Sequence, residues 1–188
     1  MKLYDSVIVP SDVPSTASYY DAVKYAIEQG FLTGTGDDTF SPDWALTRSQ
    51  LGQILWRFEQ SPSAQDGGFS DVAPGDWFHA SASWCKQSGL MSGVSPTRFG
   101  PDVTLSREQL ALILLQYTRY VGRSISGSDD LSGYSDAASV SQWAREGMEW
   151  AVGNQLMGDG QTLNPASGVT RAELSVILHA YCKSILNR

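Results

Sequence analysis

Three stretches of the chain repeat one spacing of apolar residues. Leu51, Ile54, Leu55 and Phe58 fall at i, i+3, i+4 and i+7. So do Leu110, Ile113, Leu114 and Tyr117, and again Leu174, Ile177, Leu178 and Tyr181. This period lays one apolar stripe along an α-helix. Each stretch opens on a capping box: Thr47 with Gln50, Ser106 with Gln109, and Thr170 with Glu173. The hydroxyl accepts an orphan backbone N–H, and the side chain three residues on reaches back to the cap. Three further helices are predicted upstream, over about 18–29, 76–88 and 140–154. Ala22, Ala26 and Ile27 mark the first; Trp77 with Trp84, and Trp143 with Trp150, mark the others. Gly-, Asp- and Pro-rich loops separate the helices of each pair, as in GTGDDTFSPD from Gly34. Such residues make turns and halt helices.

The pattern is an internal repeat. An aromatic or apolar residue, then Pro two positions later, precedes each capped helix: Phe40 and Pro42, Phe99 and Pro101, Leu163 and Pro165. Further upstream come Ser11-Asp12, Ser70-Asp71 and Ser135-Asp136. These aspartates precede Arg48, Arg107 and Arg171 by 36, 36 and 35 residues. Three helix-loop-helix copies are therefore expected at 1–62, 63–125 and 126–188. The polar segments from Ser61 and from Gly122 serve as linkers. A copy of this size buries only a modest core alone. The three second helices are accordingly expected to bury their stripes together, as a central three-helix bundle in an all-α fold.

Composition narrows the function. Apolar residues make up 41% and charged residues 18% of 188, as in a globular protein. The formal net charge of −7 speaks against a non-specific nucleic-acid binder, which needs a basic footprint. No apolar run is long enough for a transmembrane span. The N-terminal segment from Met1 has one Lys and no long apolar core, so it does not read as a signal peptide. The chain is then either cytosolic or a piece of a longer secreted protein. Cys85 and Cys182 lie inside apolar helical patterns and read as buried thiols rather than as metal ligands or a disulfide framework. Asp37 and Asp38 lack the rest of a calcium loop, and His79 and His179 stand singly. No nucleophile elbow or phosphate loop is present. The sequence points to no catalytic residue, metal or cofactor, and to a protein that is not an enzyme.

One position resists a purely structural reading. Arg48, Arg107 and Arg171 each follow a helix cap, beside the positive end of the helix dipole, where a cation is disfavoured by up to about 1 kcal/mol. Either each arginine pairs with a carboxylate, such as Asp12, Asp71 or Asp136, or it joins the free amides of the helix start in an anion site. The two are compatible. Trp77 and Trp143 follow the aspartates by six or seven residues and read either as core of an amphipathic helix or as sugar-stacking rings. The first copy has Ser18 there.

These strings resemble the S-layer homology domain in its three-copy form. FSDV from Phe69, YSDA from Tyr134 and SDV from Ser11 match the start of that family's repeat. DTFSPD from Asp38 and TRFGPD from Thr97 match its loop, and TRSQ from Thr47, SREQ from Ser106 and TRAE from Thr170 match its second helix. The resemblance spans nearly the whole chain. It implies a pseudo-threefold spindle with grooves between neighbouring copies. It also implies a secreted bacterial protein held non-covalently at the cell surface, in the cell wall or S-layer. The implied partner is a secondary cell-wall polysaccharide with a pyruvate-ketal sugar. The implied ligand-binding residues are Arg48, Arg107 and Arg171, which in the family face the ligand carboxylate; Asp12, Asp71, Asp136, Trp77 and Trp143 are the neighbouring candidates. The module is expected to be monomeric.

Two other functions compete: a structural or protein–protein module with degenerate grooves, and the anchoring end of a larger surface enzyme. The third copy departs most from the pattern. Its loop is two residues shorter, and Gln155 stands where the others have Gly30 and Gly89. If glycine there admits a sugar close to the backbone, Arg107 is expected to matter more for binding than Arg171.

Overall fold

The computed structural model describes residues 7–158 and 160–187; the N-terminal segment discussed above lies partly outside them. The described residues are helical, with isolated β-bridges and no strand. The six α-helices are α1 (Tyr20–Glu28), α2 (Arg48–Phe58), α3 (His79–Gln87), α4 (Arg107–Tyr120), α5 (Arg145–Gly153) and α6 (Arg171–Tyr181). All three second helices, α2, α4 and α6, start on the expected arginine after the expected cap, and each capping box is formed. The first helices are shorter than expected; in the third copy a 3-10 turn, Gln142–Ala144, precedes α5. No helix is long and apolar enough to cross a membrane among the described residues.

The chain divides into two compact units, residues 46–169 and residues 1–45 with 170–188. These units cut through the first and third copies, because helices take their partners from neighbouring copies. In the larger unit, α3 packs on α2 and α5 packs on α4. In the smaller one, α1 packs on α6. The first helix of each copy thus lies on the second helix of the copy before it, with the first copy following the third.

The stripe residues are buried except Phe58, which is half-buried, and each second helix also hides another face. In the larger unit Gly52 of α2 faces Cys85 of α3, whose thiol lies 4.0 Å from the Gly52 carbonyl oxygen. On α4, Ala111 and Leu115 are fully buried. There Gly147 of α5 approaches so closely that a Cβ would sit 2.7 Å from the Leu112 backbone. Ser175 of α6 holds the position equivalent to Gly52 and Ala111 and is fully buried. A small residue at this position lets the following copy's helix approach. The stripes of α2 and α4 meet at their ends: the Phe58 and Tyr117 rings lie 6.0 Å apart, and the Tyr117 hydroxyl donates to Glu59 at 2.6 Å. Both cysteines are buried free thiols, as expected. Burial pushes Cys85 up to about 12, against the opposing pull of Arg48.

Within the larger unit a closed ring of backbone hydrogen bonds joins all three copies. The Leu46 amide donates to Val169 (2.8 Å), Val169 to Leu105 (2.9 Å) and Leu105 to Leu46 (2.8 Å). These residues precede the three caps by one position, and none is exposed. Short bridges, Thr47 with Thr104 and Ser106 with Gly168, flank the ring. Within this unit, α2 and α4 therefore start from fixed points.

Candidate functional site

Beyond the ring, every second helix starts against the loop of the following copy. The Arg48 and Ser49 amides donate to Val103 and Pro101 at 3.0 and 3.1 Å. Those of Arg107 and Glu108 donate to Ser167 and Pro165, both at 3.0 Å. In the smaller unit those of Arg171 and Ala172 donate to Trp44 and Pro42 at 3.0 and 2.9 Å. The third amide is taken by the cap itself in α4 and α6. The first-turn amides are thus spent on protein oxygens, and the expected cradle of free N–H groups does not exist. The reason is tertiary: a loop distant in sequence delivers carbonyls where a ligand would have to sit.

The aspartates shape those loops. Asp12 accepts the Phe40 and Ser41 amides, both at 2.7 Å. Asp71 accepts those of Phe99 (2.7 Å) and Gly100 (2.9 Å), and Asp136 those of Leu163 (2.8 Å) and Asn164 (2.7 Å). The second residue of each pair has a positive φ: 55° at Ser41, 72° at Gly100 and 49° at Asn164. A carboxylate spanning two successive amides holds this left-handed turn. Burial pushes the Asp71 carboxyl up, but the Gly100 and Phe99 amides and nearby Arg98 outweigh it, so its pKa is lowered. The Leu163 amide is the main cause that lowers Asp136.

The arginines grip the same loop residues from the other side. Arg48 Nε donates to the Phe99 carbonyl at 3.0 Å, Arg107 Nε to Leu163 at 2.8 Å, and Arg171 Nε to Phe40 at 2.7 Å. A second donor, Nη2, goes from Arg48 to Ser92 and from Arg171 to Thr33. Arg and Asp of the expected pair therefore meet through one loop residue rather than directly. The guanidinium also lies over a ring, 5.1 Å from Phe99 for Arg48 and 4.4 Å from Phe40 for Arg171. Leu163 offers Arg107 no ring. Arg48 and Arg171 are each 6% exposed, and burial lowers the pKa of both; Arg107 is half-buried.

Among the described residues, no carboxylate lies within ion-pair distance of Arg48 or Arg171. Neutral carbonyls take two N–H donors of each, while Asp71 for Arg48 and Asp12 for Arg171 act on the charge from beyond ion-pair distance. Burying a charge that is only partly compensated is costly.

Trp77 and Trp143 are 60% and 54% exposed, so neither is core; Trp84 and Trp150 fill that role. Sequence reasoning missed Trp44, at 64% exposure. Its signal was an aromatic residue placed directly after the Pro-Asp turn. Val94 and Val103, also exposed, flank Gly100 in the loop of the second copy. Gly30, Gly89 and Gln155 all adopt positive φ just after a first helix. A Cβ on Gly30 or Gly89 would meet nothing within 4 Å. These glycines end helices. No cluster of His, Cys, Asp and Glu fit to hold a metal occurs among the described residues.

Capped helices joined by Asp- and Arg-clamped loops, repeated three times, define a tandem-repeat module. The sequence profile of the S-layer homology domain matches residues 11–51, 68–111 and 133–175, and the chain belongs to that family. Three relatives illustrate its range. The Surface-layer 125 kDa protein of Lysinibacillus sphaericus is 28% identical over 84% of this chain and 13% of its own length. An Endoglucanase of Bacillus sp. (strain KSM-635) is 27% identical over 89% of this chain and 18% of its own. S-layer protein sap of Bacillus anthracis is 23% identical over 86% and 20%. The chain thus spans less than a quarter of each. Family and relatives place it at the cell surface or cell wall, as a surface-anchoring module.

Proposed function

We propose that the chain anchors its protein non-covalently by binding an anionic terminal sugar of a secondary cell-wall polysaccharide, such as one bearing a pyruvate ketal. The observation that carries this reading is the pair of buried guanidinium groups, Arg48 and Arg171, with no carboxylate in ion-pair range among the described residues. A ligand carboxylate adds at close range to the compensation that Asp71 and Asp12 give from a distance, and a charge-assisted hydrogen bond is worth about 1.5–3 kcal/mol. Exposed Trp77 and Trp143 offer apolar faces for sugar rings. Arg107 and the three aspartates complete the set, the aspartates by shaping the loops. The module acts without catalytic residues and as a monomer, within the copy boundaries 1–62, 63–125 and 126–188. The endoglucanase relative supports a further reading, in which such a module anchors a catalytic part elsewhere in a longer protein.

One observation favours the competing structural reading: every arginine also staples a loop, which is reason enough to keep it. Sedimentation with purified cell walls, before and after chemical removal of the polysaccharide, separates the two. Retention that disappears with the polysaccharide is expected. Retention unchanged by its removal rejects sugar binding.

A further inference from the structure

The smaller unit holds an exposed indole that neither the repeat pattern nor the binding reading uses. The Trp44 amide donates to the Ser41 carbonyl at 3.1 Å, and its own carbonyl accepts the Arg171 amide at 3.0 Å. Its backbone is thus pinned at the start of α6, while its side chain is 64% exposed, more than Trp77 or Trp143. The ring is therefore held at a fixed place with its face open to solvent.

Its surroundings differ from those of the equivalent residues. The matching positions are Val103 in the second copy and Ser167 in the third. In the first copy's loop the Thr35 and Ser41 hydroxyls are hydrogen-bonded at 2.7 Å; the second copy has Val94 and Gly100 there. The first copy is also the one whose first helix lacks the tryptophan, with Ser18 in its place. Arg171, whose backbone amide the Trp44 carbonyl accepts, has its guanidinium over Phe40 with no carboxylate in ion-pair range among the described residues. The loop of the first copy and the start of α6 therefore supply an indole face, two hydroxyls and a buried cation that Asp12 compensates only from beyond ion-pair range. A pyranose carrying a carboxylate has the complementary parts: an apolar C–H face, hydroxyls and one negative charge.

We propose that Trp44 is the sugar-stacking residue of the Arg171 site and replaces the tryptophan missing from the first copy. This rests on the anionic-sugar reading above and adds a residue that determines which of the three sites is strongest.

The test is a titration of the full chain, labelled with 15N, with a methyl hexosaminide carrying a pyruvate ketal. The chain has six tryptophans, hence six indole N–H signals. Trp44→Phe, Trp77→Phe and Trp143→Phe each assign one by its disappearance. The Trp44 signal is expected to shift with saturation, and Trp44→Ala to weaken that binding about tenfold. Trp44→Phe is expected to weaken it less, because a ring remains. Trp44 is exposed and its two hydrogen bonds are made by backbone, so both variants are expected to keep the native melt. Shifts at Trp77 or Trp143 with Trp44 unmoved, or full affinity in Trp44→Ala, overturn the proposal and leave sugar binding standing. Six silent signals in the unaltered chain reject the anionic-sugar reading and this proposal with it.

Discussion

The Arg48 guanidinium and Phe99 meet twice: Nε donates to the Phe99 carbonyl at 3.0 Å, and the guanidinium carbon lies 5.1 Å from the ring centroid. With Asp71 on the Phe99 amide, this one loop residue is held from both sides. Arg48→Ala leaves buried carbonyls without donors, so a loss of about 2–3 kcal/mol in unfolding free energy is expected. Arg107 is half-buried against Leu163, and Arg107→Ala is expected to cost less. Urea denaturation of the two variants measures the difference. Equal losses would show that ring contact and burial add nothing.

Removing residues 134–188 deletes α5 and α6, the packing partners of α4 and α1. The buried face of α4 around Ala111 and Leu115 is then open to water. The remaining chain is expected to lose its cooperative thermal transition, followed by circular dichroism. A truncated chain with a sharp melt and native helicity would show that the first two copies fold without the third.

Binding should rank the arginines in the order opposite to the one the sequence suggests. Arg107 works with the third copy's shortened loop through Leu163, and Arg171 with the first copy's full loop through Phe40. Lysine keeps the charge but lacks the planar fork, which makes it a milder test than alanine at residues that also staple loops. Arg171→Lys is expected to weaken binding of a ketal-capped sugar more than Arg107→Lys, by calorimetry. The reverse order would show that loop length does not govern the sites.

Acid should loosen the loops. The folded-state pKa values of Asp71 and Asp136 are lowered. A lowered carboxyl contributes stability that is fully present above its unfolded value, about 3.9, and is lost as pH falls through the folded value. Stability is therefore expected to hold steady from neutral pH to about pH 5 and to fall below about pH 4. Asp71→Asn is expected to start less stable and to fall less. A denaturation midpoint in Asp71→Asn with the unaltered chain's acid slope would exclude Asp71 as a source.

The sequence by itself determined the copies, the second helices and their starts. Caps at Thr47, Ser106 and Thr170 and stripes such as Leu110, Ile113, Leu114 and Tyr117 act within one or two turns, so local order reveals them. It also singled out Arg48, Arg107 and Arg171, because a cation after a cap goes against the helix dipole. Tertiary structure decided what those residues do. Only packing between copies shows that Arg171 holds Phe40, 131 residues away, or that the amides beside it are already taken by Trp44 and Pro42. Nor does periodicity tell exposed Trp77 and Trp143 from buried Trp84 and Trp150. Helices and caps are written in neighbouring residues. Which loop closes on which helix, and which ring is left facing water, depends on surfaces brought together from different copies.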